Sequence, residues 1–159
     1  MGTVKQLVGL VVWILICEGA GGIGALSTTS QIPGWYAGLH KPSWTPPNAA
    51  FGPVWTFLYL TTGVAAWLVW RKGGAGATPA LVVFAVQLAV NVAWSYVFFG
   101  RHLIGLAFAD IILLWLAILA TILLFWRQSA LAGALLLPYL AWVTYGTTLN
   151  WGLWRMNRG

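Results

Sequence analysis

Acidic side chains are almost missing from this 159-residue chain, Glu18 and Asp110 being its only two. Charged residues of both signs make up 6% of the sequence, against 60% hydrophobic ones, whereas a water-soluble domain carries about 25% charge. That scarcity excludes an ordinary soluble domain, because a fold this small leaves a large share of its surface in contact with solvent. Cysteine occurs once, as Cys17 inside an apolar run, so no intramolecular disulfide can form. The two histidines, His40 and His102, stand without cysteine or carboxylate companions, which argues against a metal site. Neither acid is near a histidine in sequence, so no Ser/His/Asp or Cys/His nucleophilic arrangement has a sensible context. Eight Lys and Arg give a net charge of +6, but they are scattered and form no basic run of the kind that grips nucleic acid. This inventory compels no enzyme, required cofactor or nucleic-acid partner.

What the chain has in abundance is apolar runs of membrane-spanning length. A helix crossing the hydrocarbon core needs about 20 mostly apolar residues, and five segments qualify: residues 5–26, 51–71, 79–100, 103–126 and 130–155. The expected fold is therefore all-α, a bundle of five transmembrane helices forming one domain over residues 1–159. The front of the first run resembles a signal-peptide core flanked by Lys5, but it continues through Glu18 without a convincing cleavage site and is read as a mature span. Basic residues flank the spans, where they can reach lipid headgroups. Lys5, Arg71, Lys72 and Arg127 fall on one side, and Lys41, Arg101, Arg155 and Arg158 on the other. That balance leaves the orientation in the membrane undetermined.

The connection over residues 27–50 differs from the other three, which are short. It holds Pro33, Pro42, Pro46 and Pro47 with Trp35, Tyr36 and Trp44 between them. Such a segment reads as an ordered lid over one end of the bundle, carrying one short helical turn.

The third span is the most legible. Ala85, Ala89 and Ala93 recur every four residues as a small-residue ridge that permits close backbone approach. Gln87, Asn91, Trp94 and Phe98 form a second stripe, about 170° away at 100° per residue. The ridge packs either against a second copy of the chain or within one bundle. Trp55 and Tyr59 share a face of the second span, as do Pro138, Trp142 and Tyr145 of the fifth, with Asn150 beside them. Two arrangements satisfy this pattern: aromatic walls around a flat apolar ligand, with the asparagines as polar handles, or a packed aromatic core with satisfied amides. Glu18 and Asp110 lie within spans, where acids are costly and often functional. Neither has a matching base or a second carboxylate, so each reads as a hydrogen-bonded structural acid or one near a helix end. Gly19, Gly21 and Gly24 match the dinucleotide-binding spacing, but no helix pattern and no acid about 20 residues on follow them. They read as packing glycines of the first span.

The strings Trp35-Tyr36-Ala37-Gly38-Leu39-His40-Lys41-Pro42-Ser43-Trp44-Thr45-Pro46-Pro47 and Gly52-Pro53-Val54-Trp55-Thr56 closely resemble the TspO/MBR family. That family includes the translocator proteins, peripheral-type benzodiazepine receptors and tryptophan-rich sensory proteins. Asn91-Val92-Ala93-Trp94 with Phe98-Phe99-Gly100 resembles its third span, and Pro138-Tyr139-Leu140-Ala141-Trp142 with Thr148-Leu149-Asn150 its fifth. The match runs in order along nearly the whole chain, and twelve tryptophans agree with it.

The resemblance implies a five-helix bundle, commonly dimeric through the helix that carries Ala85, Ala89 and Ala93, with a ligand cavity beneath the first loop. It implies porphyrin or haem-type tetrapyrroles as ligands, with sterols and isoquinoline or benzodiazepine-type compounds as further partners. Transport, sensing and light-dependent porphyrin breakdown are the activities attached to the family. Trp55 and Trp142 match the pair implicated in that photo-oxidative breakdown, and Tyr36, Asn91 and Trp94 match positions lining or capping the cavity. The reading that follows is a membrane tetrapyrrole receptor or sensor with Tyr36, Trp44, Trp55, Tyr59, Asn91, Trp94, Trp142, Tyr145 and Asn150 as ligand contacts. Lys41 and His40 would attract propionates at the mouth. The alternative is a transporter of porphyrins, lipids or sterols, although five spans do not divide into the equal repeats that alternating access commonly uses. Trp151 stands where the cholesterol motif of animal members wants a Tyr, and Leu106 where they carry a Trp beside the drug site. These departures weaken the sterol and drug expectations and favour a bacterial or archaeal membrane.

Overall fold

A computed structural model describes residues 2–159, and the described chain is helical with no strand. The helices are α1 (Thr3–Thr28), α2 (Asn48–Lys72), α3 (Ala77–Ser95), α4 (Ile104–Gln128), α5 (Ala130–Ala134) and α6 (Leu137–Met156). Five stretches are long and apolar enough to cross a bilayer, the third running on to Gly100 and the fifth combining α5 with α6. Helix is the only open-ended element that closes its backbone hydrogen bonds within one segment, as lipid requires. At 1.5 Å per residue each span exceeds the roughly 30 Å hydrocarbon thickness.

The ends follow from local chemistry. α2 closes on Arg71 and Lys72, cations that suit the negative end of the helix dipole. Gly73 and Gly74 then turn the chain at φ 66° and 86°, where only glycine is unstrained. α2 begins three residues earlier than the sequence pattern predicts, which leaves Pro53 inside it. The fifth span is not continuous. It breaks at Leu135 and Leu136, and Pro138 sits in the first turn of α6, where the missing N–H costs nothing. A proline that looked embedded in one long helix instead starts a new one.

Residues of α1 and α2 approach most closely. A Cβ on Gly63 would lie 2.8 Å from Ile14 Cα and 3.1 Å from both Ile14 N and Trp13 O. A Cβ on Gly21 would meet the Tyr59 ring, and one on Gly24 would come within 3.1 Å of Ser95 Oγ. The glycine-rich stretch of the first span is thus partly a packing device, although Gly19 and Gly22 face open space. The main core, with Phe84 stacked on Phe125 at 5.6 Å, fills the half of the bundle away from the long loop. A smaller cluster of Tyr36, Phe98, Phe99, Ala107, Leu149 and Leu153 lies beneath that loop. Val8, Val11 and Leu15 of α1 and Leu113 and Leu116 of α4 point outward, as lipid-facing residues must.

Ala85 and Ala89 also face outward, between the exposed Val82 and Val86, and Ala93 is half-buried. The opposite face of α3 buries Phe84, Gln87, Leu88 and Asn91. Packing within the bundle therefore does not account for the ridge at Ala85 and Ala89, which this chain leaves uncovered.

A cavity beneath the aromatic lid

Residues 29–47 form the predicted lid, with one 3₁₀ turn at Tyr36–Gly38. It is tied down at both ends and in the middle. The His40 N–H donates to Asn157 Oδ1 at 3.0 Å, and Asn157 Nδ2 returns a bond to His40 O at 2.8 Å. Tyr145 Oη donates to the Trp44 carbonyl. Trp35 stacks on His102 at 4.1 Å and 12°, and meets Phe98 edge-on at 5.5 Å. Pro42 rests against Gly152, where any side chain would collide with it. Proline-limited backbone and buried aromatic area together hold this long connection in one conformation.

Under the lid lies a cavity of about 440 Å³, a size usual for small-molecule sites, which span roughly 300–1,000 Å³. Tyr36, Trp55, Tyr59, Asn91, Trp94, Trp142, Tyr145 and Asn150 all line it. Three helices and the lid therefore bring together residues that lie up to 114 positions apart, from Tyr36 to Asn150. Trp44 does not join them. The residue is 46% exposed and lies outside the lining; its carbonyl accepts from Tyr145 Oη, and its ring lies beside Gly152 of α6.

The tryptophan rings are held by neighbouring aromatic rings, and Trp94 also by a buried amide. Trp55 stacks on Tyr59 at 5.5 Å and meets Tyr139 edge-on at 6.1 Å. Trp94 stacks on Phe98 at 5.0 Å, and its Nε1 donates to Asn150 Oδ1 at 2.9 Å. Trp142 lies edge-on to Phe51 at 6.1 Å. Asn150 Nδ2 donates to the Ile104 carbonyl at 3.0 Å, so this amide fastens α3, α4 and α6 together. Asn91 accepts from Tyr59 Oη at 2.9 Å and donates to Tyr139 Oη, which in turn donates to Gln87 Oε1 at 3.0 Å. Both asparagines line the cavity, yet each already has two protein partners. Of the two arrangements open from the sequence, the structure combines parts of both: aromatic walls around a void, positioned by satisfied amides.

Two further expectations change. Lys41 Nζ donates to Ala37 O at 3.2 Å and Leu39 O at 3.1 Å, with its charge 4.8 Å from the Tyr36 ring centre. It is committed to the lid, and neither it nor His40 belongs to the lining. Glu18 is neither at a helix end nor among the hydrogen-bonded acids. It lies ten residues before the end of α1, about 15 Å along the axis, and half-buried in the cavity wall. Asp110 stays outside the cavity, near the start of α4, with Oδ2 buried and unpartnered.

Sequence reasoning built the cavity from the second, third and fifth spans and missed its α1 wall. Glu18, Gly21, Gly22, Ala25 and Thr29 line it. Their spacing of three and four residues is a helical face, and that periodicity was the available signal.

One buried polar atom of the lining lacks a partner. Tyr36 is 3% exposed, and its Oη makes no hydrogen bond. Burial, reinforced by the neighbouring Tyr145, pushes its phenol above the ordinary value of 10.0. The arrangement can hold a flat apolar molecule against aromatic faces beneath the lid.

Residues 13–155 match the TspO/MBR family. Translocator protein of Homo sapiens is 45% identical over 128 residues, spanning 79% of this chain and 76% of that protein. Protein CrtK of Rhodobacter capsulatus is 39% identical over 93% of this chain and 92% of its own length. Tryptophan-rich protein TspO of Archaeoglobus fulgidus is 36% identical, with coverage of 96% and 99%. With five helices long and apolar enough to cross a membrane, the chain is a multi-pass membrane protein belonging to the TspO/MBR family.

Proposed function

We propose that this protein is a membrane receptor for porphyrin or haem-type tetrapyrroles. The observation that carries the reading is the meeting of Trp55, Trp94 and Trp142 around one lidded cavity. A planar macrocycle gains from aromatic contact beyond the area it buries, by about 0.5–1.5 kcal/mol per pair. Rings fixed by Asn150, Tyr59 and Phe51 lose little freedom when a ligand enters. Tyr36 Oη, buried without a protein partner, is the group we assign to hydrogen-bond the ligand from the lid side. Light-dependent breakdown of the bound porphyrin would need close indole contact with the excited ring and no acid–base group, a contact we assign to Trp55 and Trp142, both of which line the cavity. Sterols and isoquinoline or benzodiazepine-type compounds are secondary ligands on this reading. The receptor acts as a homodimer joined through the uncovered Ala85 and Ala89 ridge, since small residues let helix backbones pack closely in lipid.

Transport is the less favoured reading. The interruption at Leu135 and Leu136 lies at the end of the bundle away from the lid, whereas transporter helices break at the binding site. Titration of purified protein with protoporphyrin IX in the dark and under illumination tests the proposal. Trp142→Phe and Trp55→Phe should each weaken binding several-fold and slow bleaching. Unchanged affinity and unchanged bleaching in both variants would overturn it.

A further inference from the structure

The cavity wall carries one formal charge, and that charge is negative. Glu18 is the only carboxylate of the lining, and no Lys, Arg or His belongs to it. The chain has no other acid in the first three spans, and Asp110 stands elsewhere. An ionised carboxylate this far from a helix end is costly in hydrocarbon, and an ion is retained at such depth when something complements it. Within the cavity no cationic side chain does so.

The position of Glu18 on α1 points its complement toward a ligand. Gly21 and Gly22, three and four residues on, form the same wall, and the Gly21 position presses on the Tyr59 ring. With glycine at those positions, the next turn of α1 adds no side chain to the wall beside Glu18. The second polar feature is the Tyr36 hydroxyl, buried and unpartnered at the lid. The cavity wall thus carries one acid on α1, an unpartnered buried phenol at its lid, and aromatic faces.

We propose that Glu18 is the charge-selecting residue of this cavity, admitting flat aromatic ligands that carry a protonated amine and rejecting those that carry a carboxylate to the same depth. The inference rests on the cavity being a ligand site. It adds that the anionic groups of a tetrapyrrole stay at the mouth while an uncharged edge faces α1. Charge-assisted hydrogen bonds are about twice as strong as neutral ones, and repulsion of a like charge acts in the opposite direction on the carboxylate analogue.

Three planar probes of matched shape test the assignment: 1-pyrenemethylamine, 1-pyrenemethanol and 1-pyrenecarboxylate. Each is titrated against the full-length protein in nanodiscs of zwitterionic lipid, following tryptophan fluorescence, with empty nanodiscs subtracted. Wild-type protein should bind the amine about tenfold tighter than the alcohol, and the carboxylate most weakly. Glu18→Gln should bind all three within about twofold of one another while keeping the wild-type Tm. Equal affinities in the wild type, or an amine preference that persists in Glu18→Gln, would overturn the assignment. So would a fall in Tm for Glu18→Gln, which would mark a structural role. The protoporphyrin titration with the tryptophan variants decides the receptor reading separately, because it does not depend on residue 18.

Discussion

Gly63→Ala should be among the most damaging single-methyl changes in this protein. The added Cβ would lie 2.8 Å from Ile14 Cα and 3.1 Å from Ile14 N and Trp13 O. All three are backbone atoms of α1, so no side-chain rotation relieves the overlap. Reaching an ordinary 3.4 Å separation requires the α1 backbone to retreat by about 0.6 Å, and close-packed interiors transmit such a shift to their neighbours. Overpacking of this kind costs about 1–3 kcal/mol. Alanine's better helix propensity offsets up to about 1 kcal/mol of it. The expected net loss is about 1–2 kcal/mol, visible as a fall of roughly 2–8 °C in apparent Tm in detergent. Because Glu18 and Gly21 ride on the displaced helix, affinity for a cavity probe should fall with it. Gly19→Ala is the matched control. Nothing lies within 4 Å of its Cβ, so only the propensity gain remains and stability should hold or rise. A Gly63→Ala protein as stable as the wild type, with Gly19→Ala unchanged, would refute the claim that the α1–α2 approach is backbone-limited.

Two other outcomes follow from the lid and from the outer face. Tyr36→Phe removes a hydroxyl that has no protein partner, so Tm near neutral pH should hold or rise slightly, while protoporphyrin affinity should drop. The folded protein holds the Tyr36 proton above the ordinary phenol value of 10.0. The unfolded chain releases it first, so the contribution of Tyr36 is intact below pH 10 and lost as pH climbs above it. Melting curves from about pH 9 to 11 should therefore decline less steeply for Tyr36→Phe than for the wild type, and parallel slopes would contradict this. Ala89→Phe adds bulk on an exposed face. It should convert the proposed dimer to monomer in light-scattering chromatography without lowering Tm, and a wild type that runs as a monomer would refute the dimer.

The five spans were legible in the sequence because lipid demands so much: twenty apolar residues bounded by charge leave little ambiguity about helix. The long loop was legible as a lid because its prolines and aromatics have no use in a flexible linker. Single-helix periodicity also brought out Trp55, Tyr59, Asn91, Trp94, Trp142, Tyr145 and Asn150, all of which line the cavity. Trp44 misled because sequence cannot tell a lid residue's inner side from its outer one. The break before Pro138 was hidden because an uninterrupted apolar run looks the same whether or not its backbone is continuous.

Composition and spacing alone determined that the chain is a five-span helical membrane protein with an aromatic-rich interior and a small-residue ridge, since these depend on local periodicity and on the solvent. Only the tertiary structure decided what faces what. It paired Asn150 with Trp94 and Asn91 with Tyr59 and Tyr139 across three helices, turned Ala85 and Ala89 outward, and set Glu18 in the cavity wall. Those relations depend on helix rotation and crossing, which are fixed by contacts such as Gly63 on Ile14 between segments far apart in the chain. No one-dimensional pattern carries that information.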